Sequence, residues 1–316
     1  MMFKVLSLFF LLLSYISASA QLQWINMDSD FGDLPASVHI YKSNTGLDGK
    51  PNIAWYLEAD LRDRQLEFTT DTTLQRRLTP QQFYEKNDNP LVVVNTTFFS
   101  FATNQNLNLV IRDGRLVSYN IHSIAGRGKD TLTYMHPLGS AIGINKKRKA
   151  DVSWLYTDST KKFPLALQSP QSAIRDSNNF FRSSGVKKSG AKKWKMQTAV
   201  GGGPVLVQDG KVKVTNEEER KFYGKAINDK HPRTSIGYTK DDKLIILMIE
   251  GRNPGVAEGA SLTQLAEIFT QLGAVEALNL DGGGSSCLLV NGKETIQPSD
   301  KKQRPVPAVL MIRKKS

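Results

Sequence analysis

Residues 260–292 read ASLTQLAEIFTQLGAVEALNLDGGGSSCLLVNG, and their order decides the fold. Ser261 precedes an apolar stripe as an N-cap, and Gln264 three residues on completes a capping box. Leu262, Leu265, Ala266, Phe269 and Leu272 recur at helical spacing on one face, and Gly273 stops the run. The short apolar segment AVEALNL follows, then three glycines, then CLLV and an Asn-Gly turn. Helix, strand, glycine turn and strand in that order predict an α+β or mixed α/β class with helices packed on a sheet. Glycine loses more conformational freedom on folding than any other residue. Gly282, Gly283 and Gly284 therefore need a reason: something approaches this backbone too closely for a side chain.

The same turn chemistry recurs outward from that stretch. NLVIRDGRLVS, GPVLVQDGKVKV and SCLLVNGKE each set Asp-Gly or Asn-Gly between apolar runs. Both central positions of a type I′ hairpin turn want positive φ, which these pairs supply. IGYTKDDKLIILMIEG reads as a fourth hairpin with a different turn. The hairpins predict a mixed, largely antiparallel sheet. TPQQFYEKN starts another helix, with Thr79 as N-cap, Pro80 in the first position and Gln82 closing a capping box. The polar, lysine-rich residues 170–195 read as a loop insertion, not a domain boundary.

The chain opens with MMFK, an apolar run VLSLFFLLLSYIS and Ala18-Ser19-Ala20. That pattern predicts a secretory signal peptide over residues 1–20, because the run is shorter than the ~20 residues a span needs. No later stretch is apolar enough to cross a bilayer, so no transmembrane segment is expected in the mature chain. Cys287 is the only cysteine, so the exported chain must be stable through an ordinary core without an internal disulfide. Its setting in CLLV predicts a buried small hydrophobe. A bacterial envelope, periplasmic or extracellular, is the expected destination. The net charge of +12 gathers in KKRK at 146–149 and in the lysines of 186–195. Only Trp194 accompanies these clusters, so nucleic acid is not an expected partner. A general attraction to anionic substrates is what the charge supports.

A second glycine triplet lies in AVGGGPVLV, residues 199–207. Neither triplet is followed by Lys-Ser or Lys-Thr at phosphate-loop spacing, and neither opens a helix as a dinucleotide fingerprint would. Asn279, Asp281, Ser285 and Ser286 crowd the later triplet. HPRTSIGY puts Arg233 before an apolar strand, and LMIEGRNPG puts Glu250 and Arg252 at the end of another. Singly, such charges are ordinary surface residues. Together with Asp281 they form two carboxylates and two guanidiniums at strand ends. That set can handle an anionic sugar derivative, one carboxylate attacking or stabilising and the other moving protons, while guanidiniums clamp phosphate. His39, His122, His136 and His231 show no metal spacing. Ser285 and Ser286 lack the nucleophile elbow.

Taken in order, VNTTFF, GGGPVLVQDG, HPRTSIGY, LIILMIEGR and the helix leading into ALNLDGGGSS resemble the phosphodiester glycosidase family over roughly residues 90–312, with RPVPAVLMI as its closing strand. The resemblance implies a catalytic domain over 90–316, with 21–89 as an N-terminal segment or extra lobe. It implies hydrolysis of an α-linked sugar, GlcNAc among the candidates, from a phosphodiester or related glycoconjugate. The implied pocket gathers Asn95, Arg233, Glu250, Arg252, Asn279, Asp281, Gly282, Gly283, Gly284 and Ser285. Gly202 and Gly203 of the earlier triplet join them as substrate-binding residues. Asp281 is the implied nucleophile or oxocarbenium-stabilising base and Glu250 its acid/base partner. A phosphate monoester leaving group has a second pKa near 6 and needs charge neutralisation more than protonation, which Arg233 or Arg252 would supply. A divalent metal could take over that clamp. Two departures stand out: Asn95 is followed by Thr96 where the family has a small residue, and Glu250-Gly251-Arg252 replaces the family's Asp-Gly-Arg. Two other readings are open. One is a hydrolase of non-phosphorylated α-glycosides; the other is a glycan-binding envelope protein without turnover, which the paired carboxylates disfavour.

Overall fold

The computed structural model describes residues 21–126, 132–175 and 183–315. The predicted signal peptide and residues 176–182 of the expected insertion lie outside the described residues. The strands that position the site are β1 (Val38–Ser43), β2 (Ala54–Asp60), β3 (Leu66–Thr72), β4 (Val92–Asn95), β5 (Gly139–Ile144), β6 (Ala150–Tyr156), β7 (Thr198–Gly201), β8 (Val205–Gln208), β9 (Arg233–Thr239), β10 (Lys243–Ile249), β11 (Ala274–Asn279), β12 (Leu288–Val290) and β13 (Ala308–Lys314). The helices are α1 (Pro80–Lys86), the single turn α2 (Asn216–Glu219) and α3 (Leu262–Gln271).

One eight-stranded sheet contains the run β1-β2-β10-β9-β11-β8. A five-stranded sheet contains β12-β4-β13-β3, and a seven-stranded sheet contains β6-β5-β7. Every strand pairing among the described residues is antiparallel. The antiparallel expectation holds, but the class needs correction. Strand accounts for 39% and helix for 12%, so the protein is mostly β, not α+β. The reason lies in what covers the sheets: other sheets do most of it, and α3 with its ten residues is the longest helical cover.

β10 shows how the layers are made. Leu244, Ile246 and Met248 point into the core shared with Val92, Val94, Leu310 and Ile312 of the five-stranded sheet. Ile245, Leu247 and Ile249 point the other way, under Leu262, Leu265 and Phe269 of α3. Side chains alternate along a strand, so a strand buried on both faces reads as an unbroken apolar run. Segment 21–89 supplies strands to two sheets: β2 pairs with β10, and β3 pairs with β13.

The local signals translate directly. Asp113-Gly114, Asp209-Gly210 and Asn291-Gly292 all have positive φ and close their hairpins. Thr79 with Gln82 and Ser261 with Gln264 form complete capping boxes. Cys287 is buried, and burial pushes its thiol up.

Phe269 is fully buried between α3 and the sheet. Phe269→Ala should lower stability by about 3–5 kcal/mol in urea denaturation. A loss under about 1 kcal/mol would show that α3 is not a working part of this core.

Candidate active site

Three adjacent strands end together at one edge of the eight-stranded sheet. Arg233 at the start of β9 pairs with Ile249 at the end of β10, and Ser235 pairs with Asn279 at the end of β11. Continuing that register sets Asp281 opposite Arg233 and Glu250 opposite the preceding Pro232, on strands about 4.8 Å apart in backbone spacing. Carboxylate, guanidinium and carboxylate thus share one end of the sheet.

The turns leaving β10 and β11 both pack on Pro232. A Cβ on Gly251 would lie 2.8 Å from the Pro232 nitrogen, and one on Gly282 would lie 2.7 Å from its carbonyl oxygen. The Gly283 amide donates to that carbonyl at 2.8 Å. Gly283 has φ +62, and a Cβ there would sit 3.0 Å from Nη2 of Arg252. At Gly284 the space belongs to Arg304 and Asp300. Arg304 donates through Nε and Nη2 to Asp300 Oδ2 at 2.9 and 2.6 Å, and through Nη1 to the Ser285 hydroxyl at 3.4 Å. The groups that exclude side chains from this turn are therefore Pro232, Arg252 and the Arg304–Asp300 pair.

The earlier triplet meets the later one at Asn279. The Gly203 amide donates to the Asn279 carbonyl at 2.7 Å, and Asn279 Nδ2 donates to the Gly203 carbonyl at 2.9 Å. Gly202 packs so closely on the Asn279 carbonyl that a side chain would overlap it. Asn279 Oδ1 is enclosed without a hydrogen-bond partner.

The other predicted residues differ in what they face. Asn95 is fully buried and its amide is engaged inside the protein. Nδ2 donates to the Asp281 carbonyl at 2.6 Å, while Oδ1 accepts from the Thr234 hydroxyl at 2.9 Å and the Cys287 amide at 3.0 Å. Glu250 is buried and accepts from the Gln297 amide at 3.1 Å. It lines a cavity of about 120 Å³ with Arg252, Gln297 and Ser299. Asp281 Oδ2 is enclosed and has no hydrogen-bond partner. Burial pushes the Asp281 carboxyl up to about 7, with Ser285 and Arg304 pulling it back. Arg233 is 3% exposed and donates only to neutral carbonyls, Ala260 at 2.9 Å and Asp229 at 3.0 Å. Its guanidinium stacks over Phe222 at 5.5 Å. Burial and the neighbouring Arg252 push Arg233 down to about 10. Asp229 pulls it back, but the hydrogen bonds of this buried cation go to neutral carbonyls, which leaves it able to take an anion.

Among the described residues, no three His, Cys, Asp or Glu side chains are placed to hold a metal ion, and no helix is long and apolar enough to cross a membrane. Sequence reasoning missed Arg304, Asp300, Phe222 and Lys221. Each reaches the site from a polar loop with no periodic signal, so only the fold brings them in.

Comparison with known proteins agrees on one family. Residues 88–313 match the phosphodiester glycosidase family. A segment of 83 residues is 34% identical to the mouse N-acetylglucosamine-1-phosphodiester alpha-N-acetylglucosaminidase, covering 26% of this chain and 16% of that protein. A segment of 86 residues is 37% identical to the uncharacterized SPbeta prophage-derived protein YomE of Bacillus subtilis, covering 27% of this chain and 13% of that one. The chain thus matches about a sixth or less of the length of these relatives. In fold it is similar to the catalytic domain of the zebrafish N-acetylglucosamine-1-phosphodiester alpha-N-acetylglucosaminidase, a structure described as auto-inhibited by its pro-peptide. That superposition has a TM-score of 0.61 at 19% identity and covers 94% of this chain and 89% of the other.

The raised Asp281 carboxyl makes a stability prediction. A carboxyl whose folded value exceeds its unfolded one favours the folded state while protonated, so stability is lost as pH rises from 3.8 through about 7. Asp281→Asn removes that loss. Its urea midpoint should exceed that of wild type at pH 8, and the gap should close by about pH 4. Equal midpoints at pH 8 would show that the fold does not hold this carboxyl raised.

Proposed function

The chain belongs to the phosphodiester glycosidase family, and on that premise we propose that it hydrolyses an α-linked sugar from a phosphodiester, with N-acetylglucosamine the first candidate. The observation that carries this reading is Arg233, a buried guanidinium whose hydrogen bonds reach only neutral carbonyls, at the sheet end that also carries Glu250 and Asp281. The names of the mammalian relatives, which specify an N-acetylglucosamine-1-phosphodiester, support the same substrate class. The proposal includes export, on the strength of the signal-peptide pattern at residues 1–20.

In this reading Asp281 attacks the anomeric carbon or stabilises the oxocarbenium ion. The bond between that carbon and the phosphate oxygen breaks, and the phosphate leaves with the electron pair. Arg233 and Arg252 neutralise its charge, which a monoester needs more than it needs a proton. Water then adds to the anomeric carbon, displacing the Asp281 carboxylate where it has bonded, and passes a proton to Glu250. Asp281 must be ionised for its part, so its raised carboxyl sets the lower limit of the working pH range.

The test is sugar release from an α-GlcNAc-1-phosphodiester, beside the matching nitrophenyl α-glycoside. Wild type should turn over the diester, and Asp281→Asn should lower kcat by about a hundredfold or more. In wild type kcat/KM should rise with pH through about 7. A limb falling through the same region would make Asp281 the proton donor and exchange its role with that of Glu250. Turnover of the plain glycoside alone would overturn the phosphodiester reading.

A further inference from the structure

Beside the Gly202–Gly203 turn lies a cavity of about 240 Å³ that the hydrolysis above leaves unused. Phe98, Leu107, Ile121, Ile124 and Pro137 form much of its wall, and Lys221 and Arg220 also line it. The polar residues around it are largely spent within the fold. Asn108 accepts from the Phe98 amide at 3.0 Å and donates to the Gly202 carbonyl at 3.4 Å. Asn120 accepts from the Leu109 amide at 2.8 Å and donates to the Gly139 carbonyl at 3.3 Å. A sugar needs free donors and acceptors for its hydroxyls, and these two amides have little left to offer.

The cations are in the opposite condition. Lys221 forms no ion pair among the described residues, and its ammonium rests over the Phe98 ring at 5.4 Å from the centroid. The Glu219 carboxylate also lines the cavity, but its oxygens are engaged by the fold. It accepts from the Ser140, Thr215 and Trp154 side chains at 2.6, 2.7 and 3.2 Å, and from the Val205 amide at 2.9 Å. Arg220 Nε is enclosed without a hydrogen-bond partner, and the guanidinium reaches Glu217 only at 3.6 Å. Burial pushes the Lys221 ammonium below its ordinary range, although Glu219 pulls it back. An anion bound here would relieve that cost.

The cavity also connects to the site. The Phe98 ring meets Phe222 edge-on at 6.1 Å, and Phe222 carries the Arg233 guanidinium. Gly203 has φ +119, and a Cβ on it would fall 2.7 Å from Lys221 Cε. The earlier glycine triplet is therefore bare where the lysine stem crosses it, one hydrogen-bonded step from Asn279 and the Asp281 turn.

We propose that this cavity is the aglycone subsite, built for an apolar alcohol, aromatic or aliphatic, whose phosphate lies between the cavity and Arg233, with Lys221 and Arg220 adding to the positive charge that Arg233 supplies. The proposal rests on the phosphodiester reading and adds that the group leaving with phosphate is apolar and not a second sugar. Apolar walls with a few convergent charged groups are the usual composition of a small-molecule site.

Calorimetric titration with benzyl phosphate, benzyl alcohol and inorganic phosphate tests it on the folded protein. Benzyl phosphate should bind at least tenfold tighter than either of the others. Lys221→Gln should weaken benzyl phosphate by roughly tenfold. Ile121→Trp, which fills the cavity from its rim, should weaken benzyl phosphate and leave inorganic phosphate unchanged. Benzyl phosphate no tighter than inorganic phosphate, or bound equally well by Ile121→Trp, would overturn the subsite. Titration does not require turnover, so the two readings fail separately. A protein that binds benzyl phosphate yet cleaves no sugar phosphodiester loses the function and keeps the cavity only as a site for an apolar phosphate monoester. One that cleaves methyl and benzyl diesters of the same sugar with equal KM loses the subsite and keeps the function.

Discussion

The site hangs on one buried amide. Asn95 sits at the end of β4 in the five-stranded sheet, yet its side chain bonds the Asp281 carbonyl, the Thr234 hydroxyl of β9 and the Cys287 amide. The Thr234 hydroxyl in turn accepts from the Ser286 hydroxyl at 3.2 Å. The Thr96 carbonyl accepts from the Asp281 amide at 2.8 Å, so the residue after Asn95 holds the same turn. Two sheets that share an apolar core are thereby fixed to each other at the glycine turn. Apolar packing alone is non-directional. Hydrogen bonds of set length and angle supply the register that a carboxylate at the turn needs. Removing such a buried partner leaves donors and acceptors stranded, which is more damaging than losing the bond itself.

Around that bracket the charges are left unfinished. Asp281 is partly buried with its Oδ2 enclosed and unpartnered, and the buried Arg233 donates to neutral acceptors only. A fold selected for stability alone would pair them with each other or with neighbours. Arg304, whose charge acts on Asp281, is paired with Asp300 instead. The Asp300 pairing keeps Arg304 from forming a closed pair with Asp281, so the carboxyl is only weakly drawn toward its charged form. Perturbed groups gathered at one sheet end, with geometry to match, are what distinguishes a reactive site from a structural ion pair.

Much of the fold was legible because its signals are local. The capping boxes at Thr79 and Ser261 and the Asp-Gly and Asn-Gly hairpins are written within a few residues, and they fold as written. The class was misjudged because helical periodicity in α3 is conspicuous, whereas the sheet-on-sheet burial of Val92, Leu244 and Leu310 is non-local. The same divide runs through the site. Glu250, Arg252 and Asp281 could be picked out by strand-end position, while Arg304, Lys221 and Phe222 come from loops that gave no pattern. Asn95 was legible as a site residue, but its bonding to Asp281, Thr234 and Cys287 required the structure.

The glycine triplets show how backbone and charge combine. A ligand pressing on the turn was the natural reading of Gly282, Gly283 and Gly284, but protein groups occupy the space above each of them. Arg252 lies over Gly283, Arg304 over Gly284, and the Lys221 stem over Gly203. At these three positions the absence of a Cβ lets a long cationic side chain lie directly on the backbone. Each bare residue lowers a charged group onto the floor of the site, close to the backbone that carries Asp281 and Asn279. Lying against backbone, such a side chain also has fewer rotamers to lose when an anion arrives. The conformational entropy given up by the glycines on folding is thus exchanged for cations already in place.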